Sequence, residues 1–241
     1  MIEFDAATVT VYAARDGGGT TDEVRTLLHP VTCRLTERRV AVIGANGSGK
    51  STLARLVNGL ALPSAGSVRV EGLDTVRQGP AVRARVGFVF ADPDAQLVMP
   101  TAVEDVALSL RRLDVPAAER SARAREILAR FGLAGHAETP VHALSGGQKQ
   151  LLALAGVLAT EPSVLVCDEP TTRLDLRWRR VVDDLVDGLE QQVLLVTHDL
   201  DAAARADRVL VVDEGAVVHD GDPDEGVARY RELIAAVPAP W

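Results

Sequence analysis

The chain has 241 residues, 47% of them hydrophobic and 25% charged, which suits one large α/β domain or two small lobes around a sizeable core and excludes wholesale disorder. Its 34 acidic residues outnumber 26 basic ones, for a formal charge of −8, so net charge disfavours nucleic acid and anionic lipid, and no nucleic-acid partner is expected. Residues 151–160, the longest uncharged apolar stretch, fall far short of the ~20 that a bilayer span needs, and Met1-Ile2-Glu3-Phe4-Asp5 lacks the pattern of a signal peptide; a cytoplasmic chain is expected.

Along the chain, residues 2–12 read as a strand, Asp16-Gly17-Gly18-Gly19 as a turn and residues 31–35 as a second strand, together a small antiparallel sheet. Val40-Ala41-Val42-Ile43, set between Arg38-Arg39 and Gly44, reads as a buried parallel strand, and a helix follows over 50–58. Residues 86–90 form another strand. From 92 to 140 the strands stop, and Val103, Val106, Leu110, Ile127, Leu128 and Phe131 recur at helical spacing, broken at Val115-Pro116 into two helices. An apolar helix over 151–159, strands at 164–167, 193–196 and 209–212, and helices over 174–189 and 200–206 then alternate, before a last helix over 224–234 that Pro238 ends. This rhythm predicts an α/β fold with a mainly parallel sheet, an antiparallel β edge and an inserted helical subdomain at 92–142, flanked by core segments 1–91 and 143–241.

Cys33 and Cys167 lie far apart without Cys-x-x-Cys spacing, so neither a disulfide framework nor a zinc site is indicated. The basic residues are more telling, because only two of the 26 are lysines, Lys50 and Lys149, and both sit in glycine-rich motifs. Gly44-Ala45-Asn46-Gly47-Ser48-Gly49-Lys50-Ser51 matches G-x-x-x-x-G-K-[ST] between a strand and a helix. Glycines there let backbone N–H groups of Asn46 to Thr52 wrap phosphates, the helix start adds a favourable dipole, Lys50 reaches the β- and γ-phosphates, and Ser51 is a ligand for Mg²⁺. Residues 164–167 end in Asp168-Glu169. At a strand tip facing bound nucleotide, Asp168 can hold the magnesium and Glu169 can act as general base on the attacking water.

Leu144-Ser145-Gly146-Gly147-Gln148-Lys149 is a second glycine-rich helix start, and it needs a second phosphate or a second molecule. Both loops in this order resemble the ATP-binding cassette (ABC) ATPases over essentially the whole chain. The resemblance implies the ABC type of P-loop NTPase, in which Ser145, Gly146, Gly147 and Gln148 form the signature that caps the γ-phosphate of ATP on the opposing subunit. Glu169-Pro170-Thr171-Thr172-Arg173-Leu174-Asp175 is similar to the segment ending in the D-loop, with Asp175 at the dimer interface, although Arg173 replaces the usual Gly. Thr197-His198-Asp199 resembles the switch region, with His198 contacting the γ-phosphate. Where cassettes stack an aromatic on adenine, this chain offers Tyr12, one place earlier than the family alignment suggests.

Phe90-Ala91-Asp92-Pro93-Asp94-Ala95-Gln96 resembles the Phe-Gln-Asn-Pro-Asp-x-Gln variant of energy-coupling-factor (ECF) cassettes, with Ala91 and Asp92 replacing the first Gln and the Asn. That Gln is a family ligand of magnesium; Gln96 matches the second Gln and is the candidate to take its place. The resemblance implies an ATPase subunit that dimerises, with itself or with a related cassette, around Mg-ATP. It implies further that the chain is peripheral on the inner face of the membrane, where it drives separate transmembrane subunits in cobalt, biotin or other vitamin uptake. A soluble cassette such as an iron–sulfur assembly ATPase, and the cassette of an ordinary importer or exporter, stay open at this point.

Overall fold

A computed structural model of the protein describes residues 1–13 and 23–236; the turn expected at 16–19 and Pro238 lie outside the described residues. Strands β1 (Ile2–Ala13), β2 (Glu23–Leu35) and β3 (Arg39–Ile43) precede helix α1 (Lys50–Val57). Then come β4 (Ala65–Val70), β5 (Leu73–Asp74), α2 (Gly79–Arg85) and β6 (Val86–Val89). Helices α3 (Ala102–Ser109), α4 (Arg120–Arg130) and α5 (Gly146–Leu158) lead to β7 (Val164–Asp168), α6 (Leu176–Asp187) and β8 (Gln192–Val196). The chain continues with α7 (Leu200–Ala204), β9 (Arg208–Asp213), β10 (Ala216–Gly221) and α8 (Pro223–Ala236). Two compact units result, Met1–Arg83 with Gln192–Trp241, and Ala84–Gln191.

In the first unit an antiparallel sheet has the order β2-β1-β4-β5. Ile2 and Phe4 of β1 face the core, yet further along the buried residues are Ala7 and Val9, a change of parity that regular alternation forbids. A bulge makes the change: the register with both neighbours slips after residues 4 and 5, and Ala6 adopts φ 47°. Gly66 opposite has no side chain because a Cβ there would lie 2.2 Å from the Ala6 carbonyl oxygen.

The remaining strands of this unit run β10-β9-β3-β8, with β3 parallel to both β8 and β9 and β10 antiparallel to β9. Ala41, Ile43, Val209 and Val211 from these strands pack with Ala203 of α7 and Val227 of α8, and Tyr230 and Leu233 border the cluster. Parallel strands buried on both faces need continuous aliphatic runs, as Val40 to Ile43 provide. Arg208 at the start of β9 is stitched on three sides: it donates to both carboxylate oxygens of Asp220 at 2.6 and 2.8 Å, to Glu37 Oε1 at 3.1 Å and to the Arg34 carbonyl at 2.9 Å.

In the second unit β6 and β7 pair in parallel, Val86 opposite Val164 and Val89 opposite Cys167. Gly87 lets α5 approach β6, since a Cβ there would lie 2.4 Å from a Val157 methyl. Helix α3 opens on a capping box in which Thr101 and Glu104 satisfy each other's backbone. The buried Asp105 carboxylate accepts from the N–H groups of Val98 and Met99 at 2.8 and 2.9 Å, fixing the preceding loop. Helices α3 and α4 thus occupy the region where the sequence predicts two helices.

Candidate nucleotide site

The phosphate loop begins where β3 ends. Gly44 adopts φ 155° against the backbone of β9, where a Cβ would be 2.1 Å from the Val212 carbonyl oxygen. Gly49 adopts φ 106° as it enters α1, and a Cβ there would come within 2.8 Å of the Leu27 carbonyl oxygen. Both glycines are therefore demanded by close approach and by backbone conformation together. The loop is tied down from outside, the Gly215 N–H donating to the Ser48 carbonyl at 2.8 Å.

Lys50, the first residue of α1, is only 4% exposed. Its Nζ donates to the carbonyl oxygens of Gly44 and Ala45 at 2.9 and 2.8 Å, so the ammonium lies across the loop itself. Ser48 Oγ is buried and has no hydrogen-bond partner. Leaving a buried hydroxyl unmatched is unfavourable by ~1–3 kcal/mol, which a phosphate oxygen accepting from it would relieve. Gly47 at φ 78° faces open space, Asn46 is exposed, and Ser51 and Thr52 are half-buried at the helix start. The loop therefore fits a polyphosphate on the ground of its orphaned hydroxyl and its open inner side. His198 and Tyr12 belong to the same unit; His198 is exposed after β8, and Tyr12 is 76% exposed near the end of β1.

The second unit carries the acids and the second glycine-rich start. Asp168 closes β7 and is 5% exposed. Glu169 follows at φ 55°, a left-handed backbone that a non-glycine residue holds only at some strain. The Thr172 hydroxyl donates to Glu169 Oε2 at 3.0 Å, holding the carboxylate against its own turn. Asp175 Oδ1 accepts from the Trp178 N–H at 2.9 Å as the N-cap of α6.

Ser145 and Gln148 form a capping box at the start of α5: the Gln148 N–H donates to Ser145 Oγ at 3.3 Å, and the Ser145 N–H donates to Gln148 Oε1 at 2.8 Å. Gln148 Nε2 also donates to His136 Nε2 at 2.9 Å. The two glycines between them do different work. Nothing lies within 4 Å of where a Gly146 Cβ would stand, whereas one on Gly147 would be 2.1 Å from Cδ2 of Trp178. His136 and Trp178 support the motif, and sequence reasoning missed both, because a lone His and a helix-facing Trp carry no pattern of their own.

Ala91 offers no polar group. Gln96 spends its amide on the backbone, Oε1 accepting from the Phe90 N–H at 3.3 Å and Nε2 donating to the Ala153 carbonyl at 3.4 Å. Gln150, 1% exposed, donates to the Phe90 carbonyl at 3.3 Å.

The ABC transporter family profile matches residues 28–172, more than half of the chain. The chain belongs to the ABC transporter ATPase family. Among relatives of this cassette, the biotin transport ATP-binding protein BioM of Rhizobium etli is 43% identical over 220 residues, covering 91% of this chain and 98% of that protein. The energy-coupling factor transporter ATP-binding protein EcfA1 of Symbiobacterium thermophilum is 46% identical over 202 residues, 81% of this chain and 70% of its own. Among solved structures, the ATP-binding cassette MJ0796, a dimer in a post-hydrolysis state bound to ADP and Pi, superposes with a TM-score of 0.79 at 27% identity, covering 92% of this chain and 99% of that one. The ABC fold expected from the sequence and the ATP-binding, ATP-hydrolysing function are thereby shown.

Proposed function

We propose that this cassette works as the Mg-ATP-driven motor of an energy-coupling-factor type uptake transporter, closing as a homodimer or with a related cassette and driving separate membrane subunits from the inner face of the cell membrane. The observation that carries the reading is that one chain holds two complementary half-sites: a phosphate loop with an orphaned hydroxyl, and a capped helix start whose Gly146 faces open space. The dimeric structures of the cassette MJ0796 support reading the two as halves of sites that a second chain completes. Leu176, 81% exposed beside Asp175, is an apolar surface suited to cover in such a dimer. The name of BioM supports a vitamin cargo and that of EcfA1 the ECF class. Among the described residues no helix is long and apolar enough to cross a membrane.

In this reading the loop N–H groups, Ser48 Oγ and Lys50 bind the phosphates, and Lys50 turns from the loop carbonyls toward the β- and γ-oxygens. Ser51 and Asp168 supply hard oxygen donors suited to Mg²⁺, which keeps several waters and needs few protein ligands. Bound there, the ion would neutralise phosphate charge. Glu169 orients the attacking water and takes its proton as the oxygen bonds to the γ-phosphorus and the bond to the β–γ bridging oxygen breaks, ADP leaving with that oxygen; His198 holds the γ-phosphate, and Gly146 with the α5 N-terminus caps that phosphate from the other chain. Tyr12 lies against adenine.

Glu169→Gln keeps the shape of the side chain and removes the base. We expect hydrolysis to fall by at least ~10²-fold while ATP still binds, and light scattering in saturating Mg-ATP to show a stable dimer of this chain or with a co-expressed cassette. Wild-type turnover in Glu169→Gln, or only monomer in every Mg-ATP condition, overturns the reading. Co-purification with a multi-span membrane protein separates it from a soluble assembly ATPase.

A further inference from the structure

Two departures from the family pattern, at Ala91-Asp92 and at Arg173, are far apart in sequence yet meet in the second unit. Arg173 Nη1 donates to Asp92 Oδ2 at 2.6 Å. The same carboxylate uses its other oxygen, Oδ1, to accept from the Asp94 N–H at 3.1 Å, so Asp92 is held by its own turn and is not a drifting surface acid. Two residues on, Asp94 Oδ1 accepts from Lys149 Nζ at 2.7 Å, and Lys149 is one of the only two lysines in the chain. A small pocket between these pairs is lined by Ala91, Asp92, Asp94, Gly146, Lys149 and Arg173 among others.

The chemistry of this arrangement is specific. Ala91 places a methyl group where the family carries an amide, so the start of this segment has no polar side chain with which to follow the nucleotide. Arg173 lies between Thr172, whose hydroxyl holds the Glu169 carboxylate, and the 174–175 residues that open α6. Lys149 follows directly on the signature residue Gln148 and belongs to α5. The segment after β6 is thereby gripped on two sides, by the turn that carries Glu169 and by the signature helix.

We propose that Asp92 and Asp94 form a charge clamp, through Arg173 and Lys149, that ties the segment following β6 to the Glu169 turn and to the signature helix, and that Arg173 acts in this cassette as a positioning residue for hydrolysis. The side chains of Arg173 and Asp92 are 67% and 40% exposed, and an exposed ion pair adds little to folding stability. What it supplies is a restraint on where the Glu169 turn sits, so its effect falls on turnover. Being exposed, the pair is also screened by salt, which gives it a signature that buried packing lacks.

The inference rests on the reading of Glu169 as the base, and Glu169→Gln measured alongside separates the two: normal turnover in that variant defeats the reading, whereas the clamp is judged on the others. The variants are Asp92→Asn, which keeps an oxygen for the Asp94 N–H but removes the charge, Arg173→Gln, Arg173→Lys and the double Asp92→Asn/Arg173→Gln. Steady-state Mg-ATPase of the full chain at low and high salt is the assay. Asp92→Asn and Arg173→Gln should each lower kcat by about two- to fivefold at low salt, the scale of an exposed ion pair. KM for ATP should stay within about twofold, since the pair acts on the turn that carries Glu169. The double variant should be no worse than the single ones, Arg173→Lys should keep most of the activity, and high salt should bring the wild type toward the variants. Singles equal to wild type, losses that multiply in the double, or an effect independent of salt would overturn the clamp.

Discussion

Gly147→Ala probes the tightest contact at the signature. An alanine Cβ there would stand 2.1, 2.2 and 2.7 Å from Cδ2, Cγ and Cδ1 of Trp178, far inside van der Waals contact, so the indole or the first turn of α5 must move. Overpacking of this kind destabilises by ~1–3 kcal/mol. Replacing Gly by Ala in a helix opposes it with a gain of up to ~1 kcal/mol. Gly146 next to it supplies the control, because it shares the helix start but faces open space. The difference between the two alanine variants therefore isolates the collision, and we expect Gly147→Ala to unfold ~1–3 kcal/mol more easily than Gly146→Ala in urea. Gly146→Ala should keep the fold and lose ATPase, its methyl occupying space proposed for the facing phosphate. Trp178→Ala should abolish the penalty of Gly147→Ala. Equal unfolding midpoints for the two alanine variants, or an undiminished penalty in the Trp178→Ala background, would refute the argument that Gly147 is required by Trp178.

Lys50→Arg should remove ATP hydrolysis despite keeping the charge, because a planar guanidinium cannot replace a compact ammonium held between the Gly44 and Ala45 carbonyls; turnover within tenfold of wild type would contradict this. His136→Ala should lower ATPase by about two- to tenfold by removing the acceptor of Gln148 Nε2, and His136→Gln, which restores an acceptor oxygen, should recover it. Burial, with the nearby Asp220 carboxylate, pushes the Cys33 thiol from about 9.0 up to about 11, so alkylation at pH 8 should run ~100-fold slower in the folded chain than in urea. Because this folded pKa is raised, the stability linked to the thiol is complete below about pH 9 and is lost as pH rises toward about 11, a slope that Cys33→Ser should remove.

Local chemistry made much of this protein legible in one dimension. The run Val40 to Ile43, the glycines after it and Lys50 declare a strand, a phosphate loop and a helix because each depends on neighbours within a few residues, and β3 and α1 lie there. Ser145 and Gln148 announce a helix start for the same reason, and their capping box is present. β5 and α2 are too short to carry such signals and β10 is placed by its pairing with β9, whereas β4 does alternate, with Val68 and Val70 buried about an exposed Arg69, but only over the few residues between Gly66 and Gly72. The parity change in β1 depends on the bulge at Ala6, seated opposite Gly66, a residue 60 positions away that no reading of β1 alone can weigh. Only the tertiary structure could decide that Gly147 is held by Trp178, that His136 backs Gln148, and that Asp92 meets Arg173 across 81 residues of sequence. Hydrogen-bond and steric requirements inside a turn or helix act over a few ångströms along the chain and so are written there, whereas these three contacts exist only once packing has brought distant segments within reach.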